Sequence, residues 1–399
     1  MKTTKRPVYF DYNATTPLHP SVFEAMRPYF VEEFGNPASL SHSYGWSANM
    51  AVEKARGQIA SALHCQPKEV YFTSGATESN NLAILGLVTK LGDQGEQRGY
   101  DNSAPHLVTN QAEHKSVLEV FQFAQRRFGA EVTVIDPDRF GQVSLKSIQR
   151  AVKPNTRLIS VMMANNEIGT INPIAEIGQW AKSQNILFHT DCAQSFGKLP
   201  IHVEDMAIDL LSLSGHKIYG PKGIGALFVR SENPTVELLP VLSGGTQEHG
   251  IRPGTLNVPG IVGLGAATVL ALSDMNIESE RLKELQKHLI SGVLSQLPEA
   301  SLNGHPTERL ATNVSFSFRG LSADIFALGL NGLALSAGSA CASGTSSPSH
   351  VLKAIGHSDR LARATVRLGL GRLTTFADIE LAIDKIVEMV LKNRQISGG

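Results

Sequence analysis

The chain has 399 residues, of which 42% are hydrophobic and 18% charged, a composition that excludes disordered and fibrous proteins. Lys plus Arg and Asp plus Glu each total 36, so no net field argues for nucleic acid or an acidic membrane surface. A small molecule or a protein is the expected partner, and a length beyond the ~250 to 300 residues that one core serves predicts two domains.

Met1 to Arg6 is basic but runs straight into Val8-Tyr9-Phe10, without the apolar region of a secretory signal. The longest apolar stretch, around Gly260 to Leu272, reads as too short and too rich in Gly and Ala to span a bilayer. A cytoplasmic protein is therefore expected. Three cysteines, Cys65, Cys192 and Cys341, lie far apart with no C-x-x-C, so neither a disulfide framework nor a metal site is indicated. The contexts of His114, His189 and His216 likewise lack a ligand pattern.

From about Glu69 to Arg230, β-rich runs alternate with helical stretches: Val70 to Thr73, His106 to Thr109, Glu131 to Ile135, Arg157 to Met163, Ile186 to His189 and Leu210 to Leu213. The alternation predicts an α/β fold whose mostly parallel sheet is flanked by helices, with ligands beyond the carboxyl ends of the strands. Gly225 to Val229 follows the turn Gly220-Pro221-Lys222-Gly223 too closely for a crossover helix and is expected to be antiparallel. After the Gly/Pro-rich stretch from Gly244 to Pro259 the texture changes. A long helix (about Val262 to Leu297), a strand (Asn313 to Phe318), a further helix, a Ser/Gly-rich segment (Ser336 to Ser349), a strand (Ala364 to Leu368) and a closing helix from Thr375 predict a smaller α+β unit. Residues 16–260 are assigned to the large domain, and residues 1–15 with 261–399 to the small one.

Thr73-Ser74-Gly75-Ala76-Thr77-Glu78 follows a strand and opens a helix, where free amides and the Thr77 hydroxyl suit a phosphate, or simply cap a turn. Lys217, in Ser212-Leu213-Ser214-Gly215-His216-Lys217 at another strand end, could form a Schiff base with an aldehyde if partly desolvated. Asp191 and Gln194, in His189 to Gln194, place a carboxylate and an amide where a protonated pyridine and a phenolic oxygen would want them. Cradle, lysine and aspartate together specify pyridoxal 5'-phosphate (PLP).

These motifs, with Asp11 to Pro17, Phe34 to Ser39, Glu113-His114-Lys115, Asn165 to Gly169, Arg252-Pro253-Gly254-Thr255 and Gly338-Ser339-Ala340-Cys341, resemble the NifS/IscS-type cysteine desulfurases, class V enzymes of PLP fold type I, over about residues 8 to 390. The resemblance implies a seven-stranded sheet and conversion of L-cysteine to L-alanine, with the sulfur held as a persulfide. By resemblance, Lys217 is the Schiff-base lysine, His114 the imidazole stacked on the ring and Asp191 the pyridinium partner. Gln194 and Asn166 lie near the phenolic oxygen and the substrate. Gly75, Ala76, Thr77, Ser214 and His216 belong to the phosphate site, and Thr255 reaches the phosphate from the other subunit, which implies a homodimer. Arg367 clamps the substrate carboxylate, and Asn13 lines the same pocket. From the residues alone, His114 also reads as a helix-start histidine and Arg367 as a surface cation.

Cys341 sits among small polar residues that cannot make a core, which predicts an exposed loop where a thiolate could take up sulfur. Three departures from the family pattern are Ala337 and Ala342, where Ser and Thr are frequent, Cys192 beside the ring-binding aspartate, and an ending at Ile396 to Gly399 without a longer tail. The sulfur acceptor, whether for iron–sulfur clusters, thionucleosides, DNA or another cofactor, is thus left open. Rival readings are a selenocysteine lyase, an aminotransferase or a β-lyase on the same fold, and an idle PLP-fold scaffold acting through partners.

Overall fold

The structure, a computed structural model, describes residues 6–98, 104–321, 330, 332–337 and 347–397. After strand β1 (Val8–Tyr9) come helices α1 (Pro20–Met26), α2 (Pro28–Val31) and α3 (Ser43–Leu63). The βα region then runs β2 (Val70–Thr73), α4 (Ala76–Arg98), β3 (His106–Asn110), α5 (Lys115–Phe128), β4 (Glu131–Ile135), α6 (Leu145–Ala151), β5 (Thr156–Ser160), α7 (Ile174–Ser183), β6 (Leu187–Asp191), β7 (Leu210–Ser214) and β8 (Gly225–Val229).

Its seven strands pair in the order β2-β8-β7-β6-β5-β3-β4, with β8 antiparallel to both neighbours and the other pairs parallel. Side chains alternate across a strand, so adjacent apolar residues serve opposite faces. Leu211, Phe228 and Ile159 pack toward α3 and the start of the long helix, whereas Leu210, Leu227 and Leu158 pack toward α4 and α5. The glycine at the start of β8 is required by close approach. A Cβ on Gly225 would lie 2.5 Å from the Leu213 carbonyl and 2.7 Å from Gly75 Cα.

Helix α8 (Val258–Gln296) is one continuous element. Its first half, through Ala271, packs in the large core, and its second half, from Leu282 to Val293, packs with Phe10, Phe316 and Val366 in the small one. The change of texture near residue 260 therefore marks where this helix starts, while the hand-over between cores falls between Ala271 and Leu282, inside the helix. Because the helix runs on past Leu272, it is long and apolar enough by length and composition to cross a bilayer, contrary to the sequence expectation; half of its most apolar stretch is buried in the protein. The small unit carries a four-stranded antiparallel sheet built from Ser336–Ala337, Thr365–Gly369, Asn313–Phe318 and Ala300–Leu302, in that order. The chain's first strand joins this unit by pairing with Leu333–Ala334.

One buried ion pair fixes the loop that precedes α8 to the large sheet. Glu248 receives both Arg56 Nη groups, at 2.7 and 2.9 Å, and the Phe72 amide of the edge strand β2 at 2.7 Å. Removing one partner of such a pair strands a buried charge and costs about 3 to 5 kcal/mol. Glu248→Ala is expected to lower unfolding stability in urea by that order, while breaking an exposed pair such as Lys68–Glu232 (2.8 Å) should leave the same measurement nearly unchanged.

Candidate active site

The carboxyl ends of β2, β3, β6 and β7 open, together with the small sheet, into a cavity of about 1000 Å³. At the end of β2, Gly75 adopts φ +151°, a conformation that side chains disfavour, and α4 begins at Ala76. The first bond of this helix entry runs from the Ser79 amide to the Gly75 carbonyl at 3.1 Å, so the amides of Ala76 and Thr77 precede the helical ladder and are available to an anion. Ser214 and His216 line the same end of the cavity. Burial, with Lys217 and Lys222 nearby, lowers His216 to about 4, so it meets a ligand as neutral imidazole.

Asp191 ends β6, almost fully buried. Its carboxylate accepts the Asn80 amide at 2.8 Å and the Ala193 N–H at 2.8 Å. Asn80 also donates to Ser116 Oγ at 2.9 Å, and that hydroxyl lies 2.8 Å from His114 Nδ1, which accepts the Ser116 N–H at 3.1 Å. His114 is thus both the cap of α5 and a wall of the cavity, so its two readings from sequence are compatible. Desolvation in the cleft lowers its imidazole below the usual value, against the pull of Asp191. Neither Asn80 nor Ser116 stood out in the sequence. The usable signal was spacing, since Asn80 follows Ala76 by one helical turn and shares its face.

Behind Asp191 the strands keep their own titratable groups neutral. His189, between Ser160 Oγ (2.8 Å) and Ser212 Oγ (3.2 Å), is lowered by burial to about 4. Burial, reinforced by the Asp191 charge, raises the Glu113 carboxyl well above its usual range.

Lys217 follows β7, and its Nζ donates to the carbonyls of Asn13 (2.6 Å) and Ala14 (2.8 Å). Desolvation, helped by the charge of Arg367, lowers this amine to about 8. Gln194 donates to the Asn13 carbonyl at 2.9 Å and receives the Asn13 side-chain amide at 3.4 Å. Arg367 is held by Asp11 Oδ1 (2.8 Å), Ser336 Oγ (2.7 Å) and the Asn166 carbonyl (3.0 Å). Its Nε is buried without a partner among the described residues, as is Asn13 Oδ1. Asn166 and Arg367 both line the cavity, so Arg367 is no free surface cation.

One described residue of the expected site, Thr255, is absent from the cavity lining. Thr255 is exposed on the loop before α8, which Arg252 ties to the cradle by a 2.7 Å bond to Glu78. Cys341 lies outside the described residues, but Ser336 and Ser347, which flank its segment, both line the cavity. The other two cysteines are poor nucleophiles. Cys192 is fully buried and Cys65 partly so, and burial pushes each thiol up to about 12.

The chain matches the family described as aminotransferase class-V over residues 8–381. It belongs to that family. A human protein named cysteine desulfurase is 43% identical over 392 residues, covering 98% of this chain and 83% of that one. A solved structure described as a NifS-like protein has a TM-score of 0.86 at 33% identity, covering 96% of this chain and 99% of its own. Another, described as SspA in complex with cysteine, has a TM-score of 0.79 at 41% identity, covering 91% and 98%. The class-V family is PLP-dependent, and the fold is that of its fold-type I enzymes. The residues present fit the cofactor: free amides at a helix start for a phosphate, a buried carboxylate for a ring nitrogen, and a desolvated amine for an aldehyde.

In protein stripped of cofactor, Lys217 is expected to titrate near 8. Below that pH the ammonium keeps its two carbonyl bonds, and above it the neutral amine reacts. Rates of reductive methylation at Lys217 followed by peptide mass spectrometry across pH 6 to 11 check this, and a midpoint equal to that of exposed lysines is the contrary result.

Proposed function

We propose that the protein is a cysteine desulfurase: L-cysteine and the Cys341 thiol become L-alanine and a Cys341 persulfide, which passes its outer sulfur to an acceptor protein. The observation that carries this reading is one cavity joining a desolvated amine at Lys217, a buried carboxylate at Asp191 and a guanidinium at Arg367 with one buried donor left free.

PLP, when bound, supplies an electron sink that acidifies the α-carbon of an amino acid and activates its sulfur for transfer. Amides of the cradle at Gly75, Ala76 and Thr77, with Ser214 and His216, would hold its phosphate, and Asp191 would keep the ring nitrogen protonated. His114 would face the ring as neutral imidazole, and Gln194 would serve its phenolic oxygen. Lys217 would hold the aldehyde carbon, and its amine, once released, would be free to act as a base. With an amine near 8, a useful fraction of Lys217 is then neutral at physiological pH and can take the α-proton on Nζ. Arg367 receives the substrate carboxylate, its plane fixed by Asp11, Ser336 and Asn166, and Asn13 closes the pocket. Cys341 is the sulfur acceptor. Cys65 and Cys192, with thiols near 12, hold too little thiolate to compete.

A homodimer belongs to this reading. Phe30, Phe34, Leu40, Trp46 and Met50 are each more than half exposed, more apolar surface than a monomer needs to show. The loop pinned by Glu248 and Arg252 would carry Thr255 to the phosphate site of the other subunit. Free thiols and a persulfide carrier suit a reducing compartment, so we place the enzyme in the cytoplasm.

Cys341→Ala is expected to retain cofactor and bind L-cysteine with a spectral change, yet to form no persulfide and release no alanine in a single turnover. Mass analysis should find the extra sulfur on the Cys341 peptide of the wild-type protein; finding it on Cys65 or Cys192 instead would refute the mechanism. Thr255→Ala should weaken PLP retention on dialysis by about tenfold, the loss of one hydrogen bond to a charged group. A stable monomer in sedimentation that keeps full cofactor occupancy would refute the intersubunit role.

A further inference from the structure

A second cavity, of about 320 Å³, lies where α8 passes from the large core to the small one, and Lys217 belongs to its wall as well as to that of the first. Its volume is that of a small-ligand site. Among the described residues, Arg372 is the one cation of its lining with a carboxylate partner; Lys217 is held by two carbonyls and Lys283 is exposed, which leaves Lys198 and Arg309. Lys198 has no side-chain hydrogen bond or ion pair among the described residues, and burial, with Lys217 nearby, lowers its amine to about 7. Arg309, only 7% exposed, makes three long bonds to the carbonyls of His305 (3.3 Å), Ile168 (3.3 Å) and Asn313 (3.4 Å), but among the described residues it meets no carboxylate and its buried Nε has no partner.

The acids nearby do not neutralise them. Glu278 is engaged by Arg281 at 3.2 Å, and the Glu308 side chain is exposed at the rim. Arg372, which also lines the cavity, is already satisfied by Asp274 at 2.9 Å. Lys198 could escape the cost of burial by losing its proton, but a guanidinium cannot. A buried guanidinium without a carboxylate and an unpartnered amine, both on the wall of one open cavity, form an arrangement that an anion stabilises.

We propose that this cavity binds a small carboxylate anion, seated between Lys198 and Arg309. Its occupant would lie against Lys217, the residue shared with the cofactor cavity, so the two sites are adjacent but distinct. The test is trace acetylation of the PLP-loaded enzyme with acetic anhydride at neutral pH, read by peptide mass spectrometry, with malonate as probe. At malonate ten times its dissociation constant, Lys198 should be acetylated about tenfold more slowly, as simple occupancy dictates. The exposed Lys54 should be unaffected, and uncharged malonamide should give no protection. Unchanged labelling of Lys198 in malonate, or equal protection by malonamide, overturns the proposal. So does a Lys198→Met holoenzyme that binds malonate in calorimetry with wild-type affinity.

Discussion

The buried amine of Lys217 sets the terms for the rest of the molecule. A lysine taken out of water needs acceptors, and here they are two backbone carbonyls, Asn13 and Ala14, on the strap between β1 and α1. The same strap grips the Lys217 turn again through Thr16, which bonds the His216 carbonyl and the Tyr219 amide. Two residues before Asn13, Asp11 holds Arg367. One short segment, turned at Tyr12 to Ala14, therefore spans from the lysine of the large unit to the arginine of the small one and fixes the distance between those two side chains.

Charge is arranged with the same economy. Within the cleft, burial lowers the imidazoles of His114 and His216, and behind it burial lowers His189 and raises Glu113, while Asp191, Arg367 and Lys217 line the cavity together with Glu78, Lys115, Glu167 and Lys222. The charge of Arg367 is part of what lowers the Lys217 amine, so the two residues are coupled through the field rather than by a bond.

Helix α8 shows how the two units are kept in one frame. Its first half is buried with α3 and the large sheet, its second with the small sheet and the closing helix Phe376–Ser397. An unbroken helix bends little, so the cores are joined by a stiff rod rather than by a linker. Arg281 on that rod binds the carbonyls of Thr374 and Gly371, just beyond the strand that carries Arg367. The position of the clamp thus depends on the helix as well as on the strap.

The sequence by itself determined the order of strands along the chain, the reversed direction of Gly225–Val229 and the groups at strand ends, Thr77, Asp191 and Lys217. Each of these follows from local rules: period-two apolar runs, turns too short for a crossover, and ligands collecting at carboxyl ends. Contacts between distant segments were decided by tertiary structure alone. Asn80 looks like any polar residue of a first helical turn until β6 brings Asp191 within 2.8 Å of it. Asn313–Phe318 alternates Ser with apolar residues as if one face were wet, yet every residue is buried, because Asn303 and Thr365 satisfy Ser315 and Ser317 from neighbouring strands. Composition likewise placed the domain break at the start of α8, since a helix that serves two cores carries apolar residues for both, and only the packing tells where one core ends. A side chain's neighbours within its own element are written in its spacing, whereas its neighbours across the fold depend on how the elements assemble.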